Sequence, residues 1–416
     1  MKIEFNKGKI EKEEVKEDIE EVKEEIEEKE EVKEKKSFVR QNDLKKPLLK
    51  IAIIISIILG LLLIVSLIAS LMKPRTKSFE EIESIMASAA KSYFSERKNY
   101  LPENVGDVVE VDVANLVAAE KMKDLSEYTD ENTVCSGRVE VERTEDSYVY
   151  SPYLDCGDSY ETIELYKKVE KDNPTVSSGY GLYAQSGNYV FRGETLNNYL
   201  KIGNTTWRII KINSDNTINL IQNERSIVDT GYYSKTCPWD DRYNKEKGNS
   251  YGINDFGPSR IHEIIQGIYN EKYKQEVKII TKEDREKFAP YDLCIGKRSE
   301  SDTTKDNSTE CLTRLENKYV GLLTASDYMN ASLDTNCTNT ISESCQNYNY
   351  LNSEYPYWLM TASSDLSYYV YAAGGYDAIY KSKASSKNSI RLVVRLKNNV
   401  FYKSGTGTEE DPYIVK

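Results

Sequence analysis

One stretch of the chain is apolar without interruption, and it lies near the amino end. Residues 51–72 (IAIIISIILGLLLIVSLIASLM) contain no charged side chain, and most of them are Leu, Ile or Val. A helix of this length would span roughly 33 Å, enough to cross the hydrocarbon core of a bilayer. A buried core helix of this length would rarely lack every charge. The pattern therefore predicts one transmembrane helix over 51–72.

The residues around this stretch predict its orientation. Seven Lys and Arg lie in the twenty positions before it and four in the twenty positions after it. This excess favours an amino terminus in the cytoplasm. All seven cysteines lie beyond the stretch, from Cys135 onward, and disulfides form on the oxidising side of a membrane. We therefore expect a single-pass protein of the cell membrane with most of its mass outside the cell.

Residues 1–50, before the apolar stretch, are dominated by Glu and Lys. Val15, Ile19, Val22 and Ile26 follow the spacing of a heptad seam. Two interpretations remain open: a solvated, partly helical cytoplasmic arm, or a short coiled coil that pairs chains into a homo-oligomer. The arm carries no receiver, kinase or nucleotide-binding motif that could act as a signalling output.

The segment 76–160 predicts a small α+β domain next to the membrane. Ser78 and Glu81 stand at the spacing of a capping box. Apolar residues then recur every three or four positions, which predicts an amphipathic helix over 79–97. A second short helix is expected over 113–122.

Two strands with alternating polar and apolar residues are expected after these helices, around a turn at Glu145-Asp146. Cys135 lies as many positions before this turn as Cys156 lies after it. Residues placed directly opposite on two strands bring their Cβ atoms close to the distance of a disulfide. The hairpin therefore predicts a Cys135–Cys156 disulfide, with two reduced, buried thiols as the alternative.

An apolar helix followed by an amphipathic helix and a disulfide-bearing hairpin resembles the layout of type IV pilins and pseudopilins. The segment LPENVGDVVEVDVANLVAAEKM at 101–122 is also similar to soluble segments of Gram-positive pseudopilins. The resemblance implies a structural subunit of a surface or secretion assembly. The Gly-Phe cleavage site of that family, with a Glu at the fifth position of the helix, is absent from the sequence.

The region 175–416 is rich in Tyr, Asn, Ser and Gly, and its pattern predicts short strands. A hairpin of 199–213 with 217–222 is expected, and then an amphipathic helix over 259–269. Apolar segments follow at 320–328, 357–363, 368–373, 389–397 and 405–415. Their order resembles a domain of Gram-positive surface proteins with a C-type-lectin-like fold, related to the formylglycine-generating enzymes. The resemblance implies a mixed α+β domain whose long loops carry the function.

The remaining cysteines are expected to close loops of this domain. Cys294 and Cys311 flank one polar loop, Cys337 and Cys345 flank a shorter one, and each pair predicts a disulfide. Cys237 is the odd thiol, either buried and free or bonded to another chain. The calcium-binding tripeptides of the lectins are absent, and the paired active-site cysteines of the enzymes cannot be placed.

Charge and composition narrow the chemistry further. The net charge is −12 and no clustered basic run is present, which argues against a nucleic-acid partner. The single histidine, His262, lies off the apolar face of its helix and leaves few options for histidine-based metal sites or catalytic triads. Asp240, Asp241 and Asp255 match no metal-binding loop. We therefore expect no metal, no cofactor and no catalytic residue.

A group of aromatic residues is the candidate ligand surface, because such rings can stack on sugars or on a protein partner. Alternation along the strands would point about half of these rings inward. Core packing therefore competes with ligand contact at each position, and Trp358 is expected in the core. The candidates are Tyr355, Tyr357, Trp358, Tyr368, Tyr369 and Tyr371.

Together these features favour a membrane-anchored binding or adhesion protein that displays a lectin-like domain to an extracellular glycan or protein. The alternative is a pilin-like structural subunit, which requires one helix continuous from the membrane through about residue 97. An extracellular enzyme built on acidic side chains or Cys237, and a transmembrane sensor that uses the charged arm, are the remaining hypotheses.

Overall fold

The computed structural model describes residues 54–62, 76–226, 235–273, 275, 278–375 and 377–416. The charged arm over 1–50 and its expected heptad seam lie outside these described residues. Contacts divide the chain into two units, one of Met1–Ile82 with Lys123–Thr133 and one of Glu83–Met122 with Val134–Lys416. The domain boundaries expected from the sequence stay predictions.

The expectation of a transmembrane helix over 51–72 is wrong by the structure. Within the described part of the chain, every helix is too short or too polar to cross a membrane. The described residues of the apolar stretch, 54–62, are helical, and nine helical residues rise only about 14 Å, less than half of a bilayer core. Residues 51–53 and 63–72 lie outside the described residues.

The α-helices of the described residues alternate with many short strands. They are α1 (54–62), α2 (Phe79–Ser95), α3 (Val113–Ala118), α4 (Leu165–Asp172), α5 (Arg260–Tyr269), α6 (Lys282–Arg285) and α7 (Ala325–Ala331). Short 3-10 turns lie at Lys98–Tyr100, Leu125–Glu127, Gly157–Ser159, Glu310–Leu312 and Glu343–Gln346.

The predicted capping box begins α2. The Ser78 backbone NH donates to Glu81 Oε2 at 2.9 Å, and the Glu81 NH donates to Ser78 Oγ at 3.2 Å. These two bonds satisfy amides that the first turn of a helix leaves without partners. Residues 76–78 are not helical. The continuous helix that a pilin-like subunit requires is therefore interrupted before α2.

The helix expected over 113–122 is shorter in the structure, since α3 ends at Ala118. Glu120 has a φ of 55°, a left-handed conformation that ends a right-handed helix. The apolar residues that follow are both buried: Met122 lies outside any helix, and Leu125 begins a 3-10 turn.

The strands are short throughout. They are β1 (Val108–Asp112), β2 (Ser136–Arg143), β3 (Tyr148–Asp155), β4 (Gly181–Gln185), β5 (Asn188–Arg192), β6 (Tyr199–Ile202), β7 (Thr205–Ile212), β8 (Ile218–Gln222), β9 (Cys237–Pro238), β10 (Tyr291–Cys294), β11 (Lys297–Arg298), β12 (Arg314–Lys318), β13 (Val320–Gly321), β14 (Tyr357–Ser363), β15 (Tyr369–Gly374), β16 (Asp377–Lys383), β17 (Lys387–Asn388), β18 (Val393–Leu396), β19 (Tyr402–Ser404) and β20 (Tyr413–Val415).

A three-stranded antiparallel sheet of β1, β2 and β3 carries the first predicted hairpin. Arg143 lies opposite Tyr148, so the turn falls at the predicted position. The same register brings Cys135 and Cys156 together, with their Cα atoms 4.1 Å apart, and they form the predicted disulfide. The disulfides Cys294–Cys311 and Cys337–Cys345 are also present as predicted.

The largest sheet has the order β13-β18-β8-β7-β6-β20-β19, and β5 with β4 branches from β7. Its pairs are antiparallel except β20 with β6, which is parallel. The β7–β8 hairpin is the one that the sequence predicts, and β6 forms the earlier half of the expected 199–213 strand. Trp207 on β7 is completely buried, so this sheet is one wall of the core.

A second sheet, β11-β14-β15-β16, is the other large element of the core. Every residue of β14 (YWLMTAS) is buried, so this strand is covered on both faces. A strand covered on both faces reads as a continuous apolar run and loses the alternation of a surface strand. Two small sheets, β10-β12 and β17-β9, complete the described strands.

An ion pair in the core anchors the loop that the Cys294–Cys311 disulfide closes. Arg298 on β11 and Glu310 in this loop are both fully buried, with Arg298 Nη1 3.1 Å from Glu310 Oε1. Glu310 also accepts hydrogen bonds from Ser326 on α7, 2.7 Å from its hydroxyl, and from Thr361 on β14. One carboxylate therefore connects the loop, a helix and two strands.

Candidate functional site

The six aromatic candidates lie in three different environments. Tyr357, Trp358 and Tyr371 are completely buried, whereas Tyr355 is 47% exposed. Tyr368 and Tyr369 are half-buried. The structure therefore removes three of the candidates from any ligand surface, and it confirms the expectation that Trp358 belongs to the core.

The three buried rings use their polar atoms within the fold. Trp358 Nε1 donates to the Cys237 carbonyl at 2.8 Å. Tyr357 Oη donates to the Leu351 carbonyl at 2.9 Å, and Tyr371 Oη donates to a carbonyl of β11. Buried aromatic residues with a polar tip require such partners. These contacts are the reason that the strands turn these rings inward.

Tyr251, Tyr368 and Tyr369 form a continuous line of rings at the surface, which we call the tyrosine strip. The ring centroids of Tyr251 and Tyr368 are 5.3 Å apart, and those of Tyr368 and Tyr369 are 4.7 Å apart. Tyr251 is 38% exposed. Our sequence prediction missed Tyr251, because it lies in an irregular loop more than a hundred positions from its two partners.

A buried asparagine holds the loop that carries two rings of the strip. Asn254 is 1% exposed, and its Nδ2 lies 2.8 Å from the Ser363 carbonyl and 2.9 Å from the Tyr369 carbonyl. Lys297 Nζ donates to Asn254 Oδ1 at 2.7 Å. Side chains fixed through such bonds lose little conformational freedom when a ligand arrives.

A second buried asparagine holds the loop that carries Tyr251. Asn244 Nδ2 donates to the Gly252 carbonyl at 2.9 Å and to Ser367 Oγ at 3.3 Å, so it joins the Tyr251 loop to the Tyr368 loop. Gly252 has a φ of 84°, and a Cβ at this position would lie 2.1 Å from a backbone oxygen. The turn therefore requires glycine, and the strip is rigid at both ends.

Charged side chains border the tyrosine strip. Lys383 Nζ lies 3.8 Å from the centroid of the Tyr251 ring. Lys381 lies near Tyr369 and pairs with Glu300 at 2.8 Å and with Asp365 at 3.0 Å. Burial by itself lowers the pKa of Lys381, but the two carboxylates outweigh it and hold that pKa above its ordinary value. The strip thus offers apolar ring faces beside fixed hydrogen-bonding groups.

The other residues that the sequence singled out for chemistry have structural partners. Asp240 is buried and accepts from Arg242 Nε at 2.7 Å. Asp241 lies 3.4 Å from Arg260. His262 is half-buried, with Nδ1 2.7 Å from the carbonyl oxygen of residue 257. Among the described residues, no three acidic, His or Cys side chains come close enough to hold a metal ion.

Cys237 is free and buried, as the first of its two interpretations predicts. Burial, together with the nearby charge of Asp241, raises the pKa of its thiol to about 12. Since the thiolate is the nucleophilic form, the thiol is inert near neutral pH.

We expect iodoacetamide to alkylate Cys237 very slowly in the folded chain at neutral pH. The rate should rise with pH, because the thiolate fraction grows as the pH approaches the raised pKa. Mass spectrometry of the alkylated chain measures this rate, and the urea-unfolded chain is the control that should alkylate completely. Rapid alkylation of the folded chain at neutral pH would show instead that the thiol is accessible and ionised.

Comparison of the chain with protein-family models, with curated proteins and with solved structures finds no match. The resemblances to the C-type-lectin-like fold and to the pilins therefore stay predictions.

Proposed function

We propose that this chain is a binding or adhesion protein of the extracellular surface, and that its tyrosine strip recognises a glycan by stacking on sugar rings. The observation that carries the proposal is the strip itself. Three tyrosine rings from two distant parts of the chain meet at the surface, and two buried asparagines fix the loops that bear them.

The chemistry of a tyrosine suits a sugar. The ring supplies an apolar face for the C–H groups of a pyranose, and the phenol hydroxyl can donate or accept a hydrogen bond. Lys383, whose ammonium lies over one face of the Tyr251 ring, and Ser367, which precedes Tyr368 in the chain, add polar groups to the strip. A surface of this kind combines apolar contact with a few fixed polar groups, as ligand sites commonly do.

The disulfides support the proposed extracellular location. The three disulfides use six of the seven cysteines, and such bonds form and persist in oxidising environments. Extracellular glycans and proteins are the partners available there. Because tyrosine is also enriched at protein interfaces, a protein partner is the other outcome that the experiment must distinguish.

Tyr368→Ala and Tyr251→Ala should each weaken glycan binding by about tenfold, since one lost stacking contact corresponds to roughly 1–1.5 kcal/mol. The measurement is a glycan array with the full-length chain, followed by calorimetric titration of the strongest hit. Tyr355→Ala is the matched control, because Tyr355 is exposed but contacts Arg225, 3.9 Å from its ring centroid, outside the strip.

Two results would overturn the glycan proposal. One is an array without any hit, and the other is a hit whose affinity survives both strip substitutions. If a purified surface protein binds instead, and the strip substitutions abolish that binding, the strip recognises a protein. Urea unfolding of each variant separates loss of binding from loss of fold.

A further inference from the structure

A polar cavity of about 60 Å³ lies away from the residues of the tyrosine strip. The tip of the β4–β5 hairpin, β7, α7 and the loop closed by Cys294–Cys311 surround it. The lining residues that matter here are Gln185, Asn188, Lys211, Lys305, Asp327 and Asn330. A cavity of this size has the volume of about two molecules of liquid water. It can therefore enclose one edge of a small polar molecule rather than a whole sugar ring.

The carboxylates of the cavity already have partners. Asp327 accepts from Asn307 Nδ2 at 2.7 Å and from Thr324 Oγ1 at 2.9 Å. Asp306, also in the lining, accepts from the Ser308 backbone NH at 3.0 Å, and hydrogen bonds from Ser308 lower the pKa of this carboxyl. Both acidic groups are thus held by the loop and by α7.

The cavity is lined by two lysines whose ammonium groups have no hydrogen-bond acceptor among the described residues. Lys211 and Lys305 form no side-chain hydrogen bond or salt bridge with any residue that the structure describes. Lys305 is half-buried, and burial followed by repulsion from Arg192 lowers its pKa, against the weaker attraction of the Asp334 carboxylate. Arg192 itself donates to the backbone carbonyls of Asn330 and Ser332 at 2.9 and 3.1 Å. The two ammonium groups are therefore hydrogen-bond donors without an acceptor in the described part of the chain, in a lining that also holds the charged carboxylates of Asp306 and Asp327.

Two amide side chains also leave polar atoms available. Asn330 is 8% exposed, and its Nδ2 donates to Gln185 Oε1 at 2.7 Å. This bond orients the two amides against each other. It leaves Gln185 Nε2 as a donor and Asn330 Oδ1 as an acceptor, with no other bond to a described residue. A hydroxyl group both donates and accepts, so it fits such a pair.

We propose that this polar cavity is a second binding site, and that it takes the edge of a small anion that also carries hydroxyl groups, such as a sugar acid or a sugar phosphate. The oxyanion lies between Lys211 and Lys305, and a neighbouring hydroxyl bonds with Gln185 and Asn330. The site takes its ligand independently of the tyrosine strip.

The test is a calorimetric titration of the full-length chain with D-glucuronate, glucose 6-phosphate and glucose. Both anions should bind at least about tenfold more tightly than glucose, because hydrogen bonds to charged groups are the stronger ones. Tighter binding of D-glucuronate would identify the natural ligand group as a carboxylate, and tighter binding of glucose 6-phosphate would identify it as a phosphate. Equal binding of all three compounds, or no binding at all, would overturn the proposal.

Lys305→Gln should lower the affinity for the preferred anion by about tenfold, and Gln185→Ala should also weaken it. Lys201→Gln is the control, since Lys201 is exposed on β6 and does not line the cavity. Tyr368→Ala should bind the anion as the wild type does, which separates this site from the strip. An unchanged affinity in Lys305→Gln, with the urea midpoint also unchanged, would contradict the assignment.

Discussion

Glu310→Gln should lower the free energy of unfolding by about 3–5 kcal/mol, the cost of leaving one charge of a buried pair without its partner. Arg298 and Glu310 are both fully buried, and Arg298 Nη1 lies 3.1 Å from Glu310 Oε1. The substitution keeps the shape of the side chain but removes the buried carboxylate, and the Arg298 guanidinium then keeps only the partly exposed Asp302 carboxylate, 3.4 Å away, as an opposite charge. Urea unfolding followed by circular dichroism measures the effect.

The surface pair of Arg260 and Glu263 is the matched control. Its ions lie 2.7 Å apart, yet both side chains are about half exposed, at 43% and 52%. Glu263→Gln should therefore change the free energy of unfolding by less than about 1 kcal/mol. If Glu310→Gln were as mild as this control, the buried pair would not stabilise the loop.

The buried Arg298–Glu310 pair also holds the loop that contributes Lys305 to the polar cavity. Lys305 lies between Arg298 and Glu310 along the chain, within the loop that the Cys294–Cys311 disulfide closes. Arg298 further donates to the Asp302 carbonyl at 3.0 Å, so the beginning of this loop is held as well. The loop that carries Lys305 is therefore held at both ends by the contacts of the buried Arg298.

Trp358→Ala should lower the free energy of unfolding by about 3–5 kcal/mol, as expected when a large buried aromatic residue is truncated. Trp358 is 0% exposed, and its loss would leave both a cavity and an unpaired Cys237 carbonyl. Equilibrium urea unfolding measures the loss, and Trp358→Phe should recover part of it by filling part of the space.

Tyr355→Ala is the comparison for Trp358, because both residues come from the same aromatic group of the sequence. Tyr355 is 47% exposed, and its substitution should cost less than about 1 kcal/mol. If Trp358→Ala unfolded at the same urea concentration as the wild type but no longer bound the ligand, Trp358 would have a role in binding and not in the core. The pair of variants thus distinguishes a core role from a binding role.

Local signals in the sequence predicted several elements correctly. The capping box at Ser78 starts α2, and Ser259 caps α5 by accepting from the His262 NH at 3.2 Å. The register of β2 with β3 follows from the position of their turn, and the Cys135–Cys156 disulfide follows from the register. These features depend on residues close in sequence, so spacing and residue type are sufficient to predict them.

Other expectations failed because an apolar run indicates that a segment can be buried but does not indicate whether it forms a helix or a strand. The segment 320–328 was expected only as an apolar segment of the domain, and it continues from β13 into α7, which is capped by Thr324. The apolar stretch over 51–72 predicted a transmembrane helix, and the described helix there covers only 54–62. Strand β16 (Asp377–Lys383) was not predicted, since its polar residues hide the strand pattern.

The sequence by itself determined the β2–β3 and β7–β8 hairpins, the starts of α2, α3 and α5, and all three disulfide pairings. Only the tertiary structure decided which aromatic rings reach the surface, because β14 is covered on both faces and its alternation carries no information about exposure. It also brought the ring of Tyr251 to that of Tyr368, and it placed Lys211 and Lys305 in the lining of one cavity. Those contacts join residues far apart in the chain, so they arise from the packing of whole sheets rather than from any local signal.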